Sequence, residues 1–256
     1  MISKEDMRDQ NKDQAYFNQW IDFTQESITK NFGAVENFPR IEGRSSKASR
    51  ICKDAFELCV MRYGRGDAIG DLRKSVWQWV EARELAVRMF SQLPPDLKDV
   101  RLMYEKLTLD GVYNGLTMMA FARALKFDQE EMKRLINAVG HSGQDALIDE
   151  AARALIEEQR IAANACMYPK VYEPLLDVWR SPTPEQAAKL LAFSKVWKKK
   201  IKPIYWSENL SGAEGAYFGY WCFDIALAAI ALEIPDEPLR GNAYYPGDLV
   251  DAARSK

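Results

Sequence analysis

The chain has 256 residues, 47% of them hydrophobic, and 35 basic against 37 acidic side chains leave a net charge of −2. That length supports one large helical domain or two small ones. The balanced charge excludes the basic excess of a nucleic-acid surface, so no direct nucleic-acid partner is expected. His141 is the single histidine, which excludes His-Glu-x-x-His, Glu-x-x-His and multi-histidine zinc sites.

The N-terminus, Met1 to Asp6, lacks the basic-then-apolar order of a signal peptide, so a cytoplasmic protein is expected. Ser3 with Asp6 is positioned to cap a first helix, whose stripe is Phe17, Trp20, Ile21, Thr24 and Ile28. Asp6, Asp9 and Asp13 are spaced three and four apart, which predicts one acidic face on that helix. After a Gly- and Pro-bearing break at 31–45, Ile51, Ala55, Leu58 and Arg62 form a second stripe. Leu72, Val76, Trp79, Val80, Val87 and Phe90 form a third, ended by Pro94-Pro95. Cys52 and Cys59, like Cys166 and Cys222 later, form no Cys-x-x-Cys pair and read as free, buried thiols.

Asp128 and Glu131 have capping-box spacing. Arg134 and His141 bear the arginine and histidine that a HEPN-like ribonuclease would use for phosphate stabilisation and acid–base chemistry. His141 lies between Gly140 and Ser142-Gly143, which predicts a turn and separates it from the helix of Arg134. The same glycines mark the expected boundary between residues 1–139 and 140–256.

A later stripe, Ile148, Ala151, Ala152, Leu155 and Gln159, is bordered by Asp145, Asp149, Glu150, Glu157 and Glu158, read as an acidic outer face. A break is expected over Tyr168–Pro174. Thr183-Pro184-Glu185-Gln186 then combines an N-cap with a proline at the first helical position. Lys198-Lys199-Lys200-x-Lys202 reads as a solvated basic run near a helix C-terminus, and Glu208 as an acidic loop residue flanked by aromatics. Gly64-x-Gly66-x-x-x-Gly70 lacks the strand and the spacing of a nucleotide-binding loop.

The most distinctive stretch is Tyr217–Leu232. Between Gly215 and Leu232 the only ionisable carboxylate is Asp224. Ser211-x-x-Glu214 reads as a capping box opening one apolar helix through this stretch, with Tyr217, Trp221, Ile225, Ala228 and Leu232 on one face. Its mild hydrophobicity and central Asp224 argue against a membrane span. Asp224 needs donors or a cation. Arg62 is the first candidate, with Tyr63 and Tyr245 as alternatives. Tyr113-x-Gly115 followed by alanines echoes Tyr217-x-Gly219 and suggests two related helical halves.

Tyr217, Gly219, Tyr220, Trp221 and Phe223, followed by Tyr245, Pro246, Asp248 and Leu249, resemble the C-terminal signature of PoNi proteins, bacterial immunity proteins that neutralise polymorphic nuclease toxins, often delivered by type VI secretion. Arg62-Tyr63-Gly64-Arg65-Gly66-Asp67 resembles the family's N-terminal element. Gly64, Asp224 and Gly247 depart from the usual Ser, Glu and aromatic. The resemblance implies a PoNi-N-like part over 1–139 and a PoNi-C-like part over 140–256.

The combined expectation is an all-α antiparallel bundle of eight or nine helices. It is not an enzyme, uses no cofactor or metal, and binds and occludes a cognate DNase toxin, with a homodimer possible. A HEPN-like ribonuclease and a helical adaptor are the alternatives. Nuclease clefts are basic, so Asp6, Asp9, Asp13, Asp145, Asp149, Glu157 and Glu208 are the candidate toxin contacts. Arg62, Tyr63, Tyr217, Gly219, Tyr220, Trp221, Asp224, Tyr245, Pro246 and Asp248 are expected to build the fold.

Overall fold

The computed structural model describes residues 7–157 and 160–255. Among these residues every regular element is helical. There are eleven α-helices, more than the eight or nine expected, because short breaks divide segments read as continuous. Among the described residues no helix is long and apolar enough to cross a membrane.

The described residues form two compact units. The first holds residues up to Lys106 together with Leu210–Gly219, and the second holds Leu107–Asn209 with Tyr220 to the end. The division read at 139/140 therefore falls inside the second unit.

In the first unit α1 (Gln14–Ala34), α2 (Ile41–Arg65) and α3 (Arg73–Ser91) pack with α2 in the middle, and α4 (Lys98–Glu105) lies against α3. In the stripes of α1 and α2, Phe17, Ile21, Ile28, Ile51, Ala55 and Leu58 are buried, while Trp20, Thr24 and Arg62 are half-buried. Val87 is the exception on α3, at 54% exposure. The α1 cap is Asp13, whose side chain accepts from the Tyr16 N–H; Ser3 and Asp6 lie outside the described residues. Gly66 ends α2 at φ 102, a conformation that favours glycine, and returns its N–H to Arg62 and Tyr63 carbonyls. The 210–219 segment is held on α1 by bonds from Lys12 to the Ser211 carbonyl (2.8 Å) and from the Tyr16 hydroxyl to the Tyr217 carbonyl (2.9 Å).

In the second unit α5 (Leu109–Ala124) is buried on nearly all sides, by α6 (Gln129–Val139), α7 (Ala146–Leu155), α10 (Phe223–Ala231) and α11 (Gly247–Arg254). This all-round apolar character joins α5 and α6 to the later helices rather than to α1–α4. Gly115 lets α5 approach the Val139 side chain, which stands 2.9 Å from where a Cβ would be. The Asp128–Glu131 box caps α6 in both directions. α8 (Pro169–Arg180) runs through Pro174, where a break was expected. Proline has no N–H for the Lys170 carbonyl one turn back. The Lys200 ammonium, on α9 (Thr183–Lys200), donates to that carbonyl instead at 3.0 Å. α9 begins one residue earlier than read, with Pro182 as N-cap, and Gln186 donates to the Ser181 carbonyl.

Candidate functional site

The apolar stretch is not one helix. α10 starts at Phe223, and residues 217–222 carry no regular structure. Gly212, Gly215 and Gly219 all have positive φ, and Glu214 has φ 51. A helix cannot pass through these residues, so the Ser211–Glu214 capping box does not form as read. Gly215 is required sterically as well, since a Cβ there would lie 2.4 Å from the Trp20 indole. Tyr217 therefore lies outside any helix while Tyr113 sits inside α5, so the sequence echo has no counterpart in local structure.

The signature side chains point inward. Tyr217 is buried and donates to Asp9 (2.6 Å). Tyr220, Trp221 and Phe223 are buried in the second unit. Trp221 offers its carbonyl to the Tyr113 hydroxyl at 2.6 Å. The Cys222 N–H donates to the Tyr244 carbonyl at 2.9 Å. Together with a bond from the Cys222 thiol to the same carbonyl at 3.1 Å, it ties the 220–223 block to the Tyr244–Val250 block, which gives a physical reason for the two to occur together. Tyr245 and Pro246 are buried beside it, Leu249 is fully buried, and Asp248 is exposed in the first turn of α11.

Asp224 is 1% exposed but is not paired with Arg62. It accepts from the Trp197 indole N–H (3.0 Å) and the Ile225 N–H (2.9 Å). Arg62 binds Asp67 (2.8 Å) and the Ser75 hydroxyl (2.9 Å), within the other unit. Tyr63 is buried under Arg8, whose guanidinium lies 4.6 Å above the ring. Burial raises the Asp224 carboxyl to about 7; the Trp197, Ile225 and Tyr172 donors pull it down only partly. The sequence reading missed Trp197. The available signal was the α9 periodicity Leu190, Phe193, Trp197, Ile201, which points a donor-bearing indole into the same core.

The acidic candidates separate sharply. Asp6 lies outside the described residues. Asp9 is buried, and accepts from Asn11 as well as Tyr217. Asp145 and Asp149 are fully buried rather than on an outer face. Asp145 caps α7, accepting from Leu147, Ile148 and Met167 N–H groups. Asp149 accepts from the Gly143 and Ala163 N–H groups and binds Arg160 at 2.7 Å. Both tie described residues of the flanking loops, Gly143, Arg160, Ala163 and Met167, to α7, and periodicity gave no sign that these residues cover the carboxylates. Asp13, Glu157 and Glu208 are exposed, Glu208 paired with Lys202 at 3.0 Å. His141 lies past the end of α6 at φ 58, in a turn, as its glycine neighbours predict. No cluster of three or more metal-ligating side chains forms among the described residues.

An exposed face on α1 was not singled out from sequence. Phe23 is 57% exposed, packs edge-on to Trp20 at 5.5 Å, and is flanked by exposed Asp22 and Glu26.

The inward signature and its cross-tie identify a fold, and that fold has relatives. Residues 143–249 match the family of PoNe immunity proteins (PoNi), C-terminal. Over those residues the chain is PoNi-like. The PoNi-like segment contains Asp145, Asp149, the Asp224 core and most of the tail block. No curated protein matches the chain significantly. Among solved structures, the crystal structure of protein PA2201 from Pseudomonas aeruginosa is similar at 17% identity and a TM-score of 0.69, covering 97% of this chain and 90% of that one. At that identity the likeness concerns the fold.

Proposed function

We propose that this PoNi-like chain is an immunity protein that binds a cognate nuclease toxin, a DNase of bacterial competition such as a type VI secretion effector, and occludes its active site. The observation that carries this reading is the match of residues 143–249 to the PoNe immunity family. The mode of action proposed is binding in the cytoplasm, without chemistry of its own. Because the signature residues are buried, recognition falls to exposed groups. Asp13, Glu157 and Glu208 remain as contacts from the sequence reading, and the Asp22–Phe23–Glu26 face of α1 adds an aromatic anchor between two carboxylates. Such a face suits a basic cleft, with charge steering the encounter and the aromatic ring supplying buried area.

The test is co-purification with the product of the neighbouring toxin gene, with a cleavage assay on DNA. A one-to-one complex that abolishes cleavage supports the reading. Protection of cells without any detectable complex overturns direct inhibition.

A further inference from the structure

A second feature of the PoNi-like unit stands apart from the immunity reading. A pocket of about 360 Å³ opens between the C-terminal half of α9 and the turn at 238–244. Lys195 and Lys198 reach it from α9, and Asn242 and Tyr244 from the turn. Leu191 and Pro238 supply apolar wall, and no carboxylate lines it.

Lys198 is held there in an unusual way for a lysine in a basic run. Its ammonium lies 3.2 Å from the centre of the Tyr220 ring, with the Trp206 and Tyr244 rings at 6.0 and 5.8 Å. It donates to the Ser207 carbonyl at 2.9 Å. The nearest acid that influences it, Glu208, is exposed and paired with Lys202. Lys195, one turn before, is exposed and has no ion-pair partner among the described residues. Two lysines thus line one concavity that no carboxylate lines.

We propose that this pocket is a binding site for a carboxylate carried on a small apolar body. Its carboxylate would meet Lys195 and Lys198, and its carbon skeleton would lie against Leu191, Pro238 and the Tyr244 ring. A half-apolar wall favours such a ligand over bare phosphate, and the pocket volume is that of small-molecule sites. Burial pulls the Lys198 ammonium down to about 8, with Glu208 opposing weakly. An anion in the pocket would restore the charged form. Glu208, Tyr220 and Tyr244 are the other ionisable groups facing Lys198, and none of them adds positive charge.

The experiment uses the full chain with ¹³C-labelled lysine, read by NMR of the Lys198 side-chain signal, which the Tyr220 ring displaces from the other lysines. Glutarate, the peptide acetyl-Gly-Glu-Gly-amide and inorganic phosphate are titrated at constant ionic strength. Saturable shifts of Lys198 and Lys195 with either carboxylate support the site. Glutarate alone identifies a free small molecule, and the peptide alone a protein-borne carboxylate. Affinity should weaken about five- to tenfold in Lys195→Gln, an exposed change that leaves the fold intact. It should also fall up to about tenfold from pH 7 to 9 as Lys198 loses its proton. Linear shifts without saturation, binding by phosphate alone, or an unchanged affinity in Lys195→Gln would overturn the proposal. None of these outcomes bears on toxin binding.

Discussion

Asp67 in the first unit and Asp224 in the second are both buried acids, yet their surroundings drive them in opposite directions. Asp67 sits between Arg62 and Arg65, at 2.8 and 2.7 Å. Burial alone would raise its carboxyl, but the bonds and charge of the two guanidinium groups outweigh that and hold it below the usual range. Asp224 meets only neutral donors, and burial carries it to about 7. At Asp224 the neutral hydrogen bonds do not offset the lost hydration, whereas at Asp67 the two guanidinium groups do. Asp149 also has a cation beside it, the 9% exposed Arg160 at 2.7 Å.

The largest expected effect follows from that pairing. Asp149→Ala would leave Arg160 buried without its counter-charge and free the Gly143 and Ala163 N–H groups. A loss of about 3–5 kcal/mol in denaturant unfolding is expected. A loss below about 1 kcal/mol would place Asp149 outside the paired class and reduce it to a loop residue.

Asp224→Asn tests the other side of the comparison. The raised carboxyl means that the folded protein keeps its proton between 3.8 and about 7 while the unfolded chain releases it. Stability of the wild type should therefore fall as pH rises through that window and level off above it. The asparagine retains an oxygen for the Trp197 N–H and lacks the titration. At pH 8 the variant should exceed the wild type by up to roughly 4 kcal/mol, and at pH 4 the gap should close. Parallel stability curves from pH 4 to 8 would mean that an unseen compensation keeps Asp224 charged at no cost.

How much of this was legible beforehand depends on what sets each feature. Helical class, the α1 and α2 stripes and the Asp128–Glu131 cap follow from local periodicity and spacing, which the sequence contains directly. The inward packing of Tyr217, Tyr220 and Trp221 followed from their aromatic character. Their helix did not form because the backbone turns at Gly215 and Gly219, both at positive φ, and Gly215 packs on Trp20, which lies far away in sequence. The partner of Asp224 was missed for a related reason. Arg62 is the obvious cation on an apolar stripe, but Asp67, five residues on, reaches it first. Asp145 and Asp149 show the limit of reading charge as exposure, because a carboxylate at a helix start can be covered by a loop whose amides it binds.

Gly215→Ala is expected to have an intermediate effect. The new methyl would strike the Trp20 ring, and φ 77 is strained for alanine. A loss of about 1–3 kcal/mol in thermal or chemical unfolding is expected. Neutral behaviour would show that the 210–219 segment shifts on α1 readily and that its contribution to the first unit is small.

At the small end for stability stand the exposed acids, the opposite extreme from Asp67 and Asp224. Asp22 and Glu26 lie one turn apart on the outside of α1, with Phe23 between them. Water solvates both carboxylates, so converting them together to lysine should change folding stability by no more than about 0.5 kcal/mol. Their field nevertheless extends over roughly a Debye length, about 8 Å at physiological salt, and would act on an approaching basic cleft. The double reversal should slow toxin association about tenfold or more at low salt, and the difference from wild type should shrink as salt rises. Phe23→Ala should instead raise the dissociation rate, because an aromatic anchor acts after contact is made. Stopped-flow association at several salt concentrations separates the two. If the complex forms at the wild-type rate in the charge-reversed variant and Phe23→Ala dissociates no faster, the α1 face is not the contact, and Glu157 and Glu208 on the other unit become the residues to reverse next.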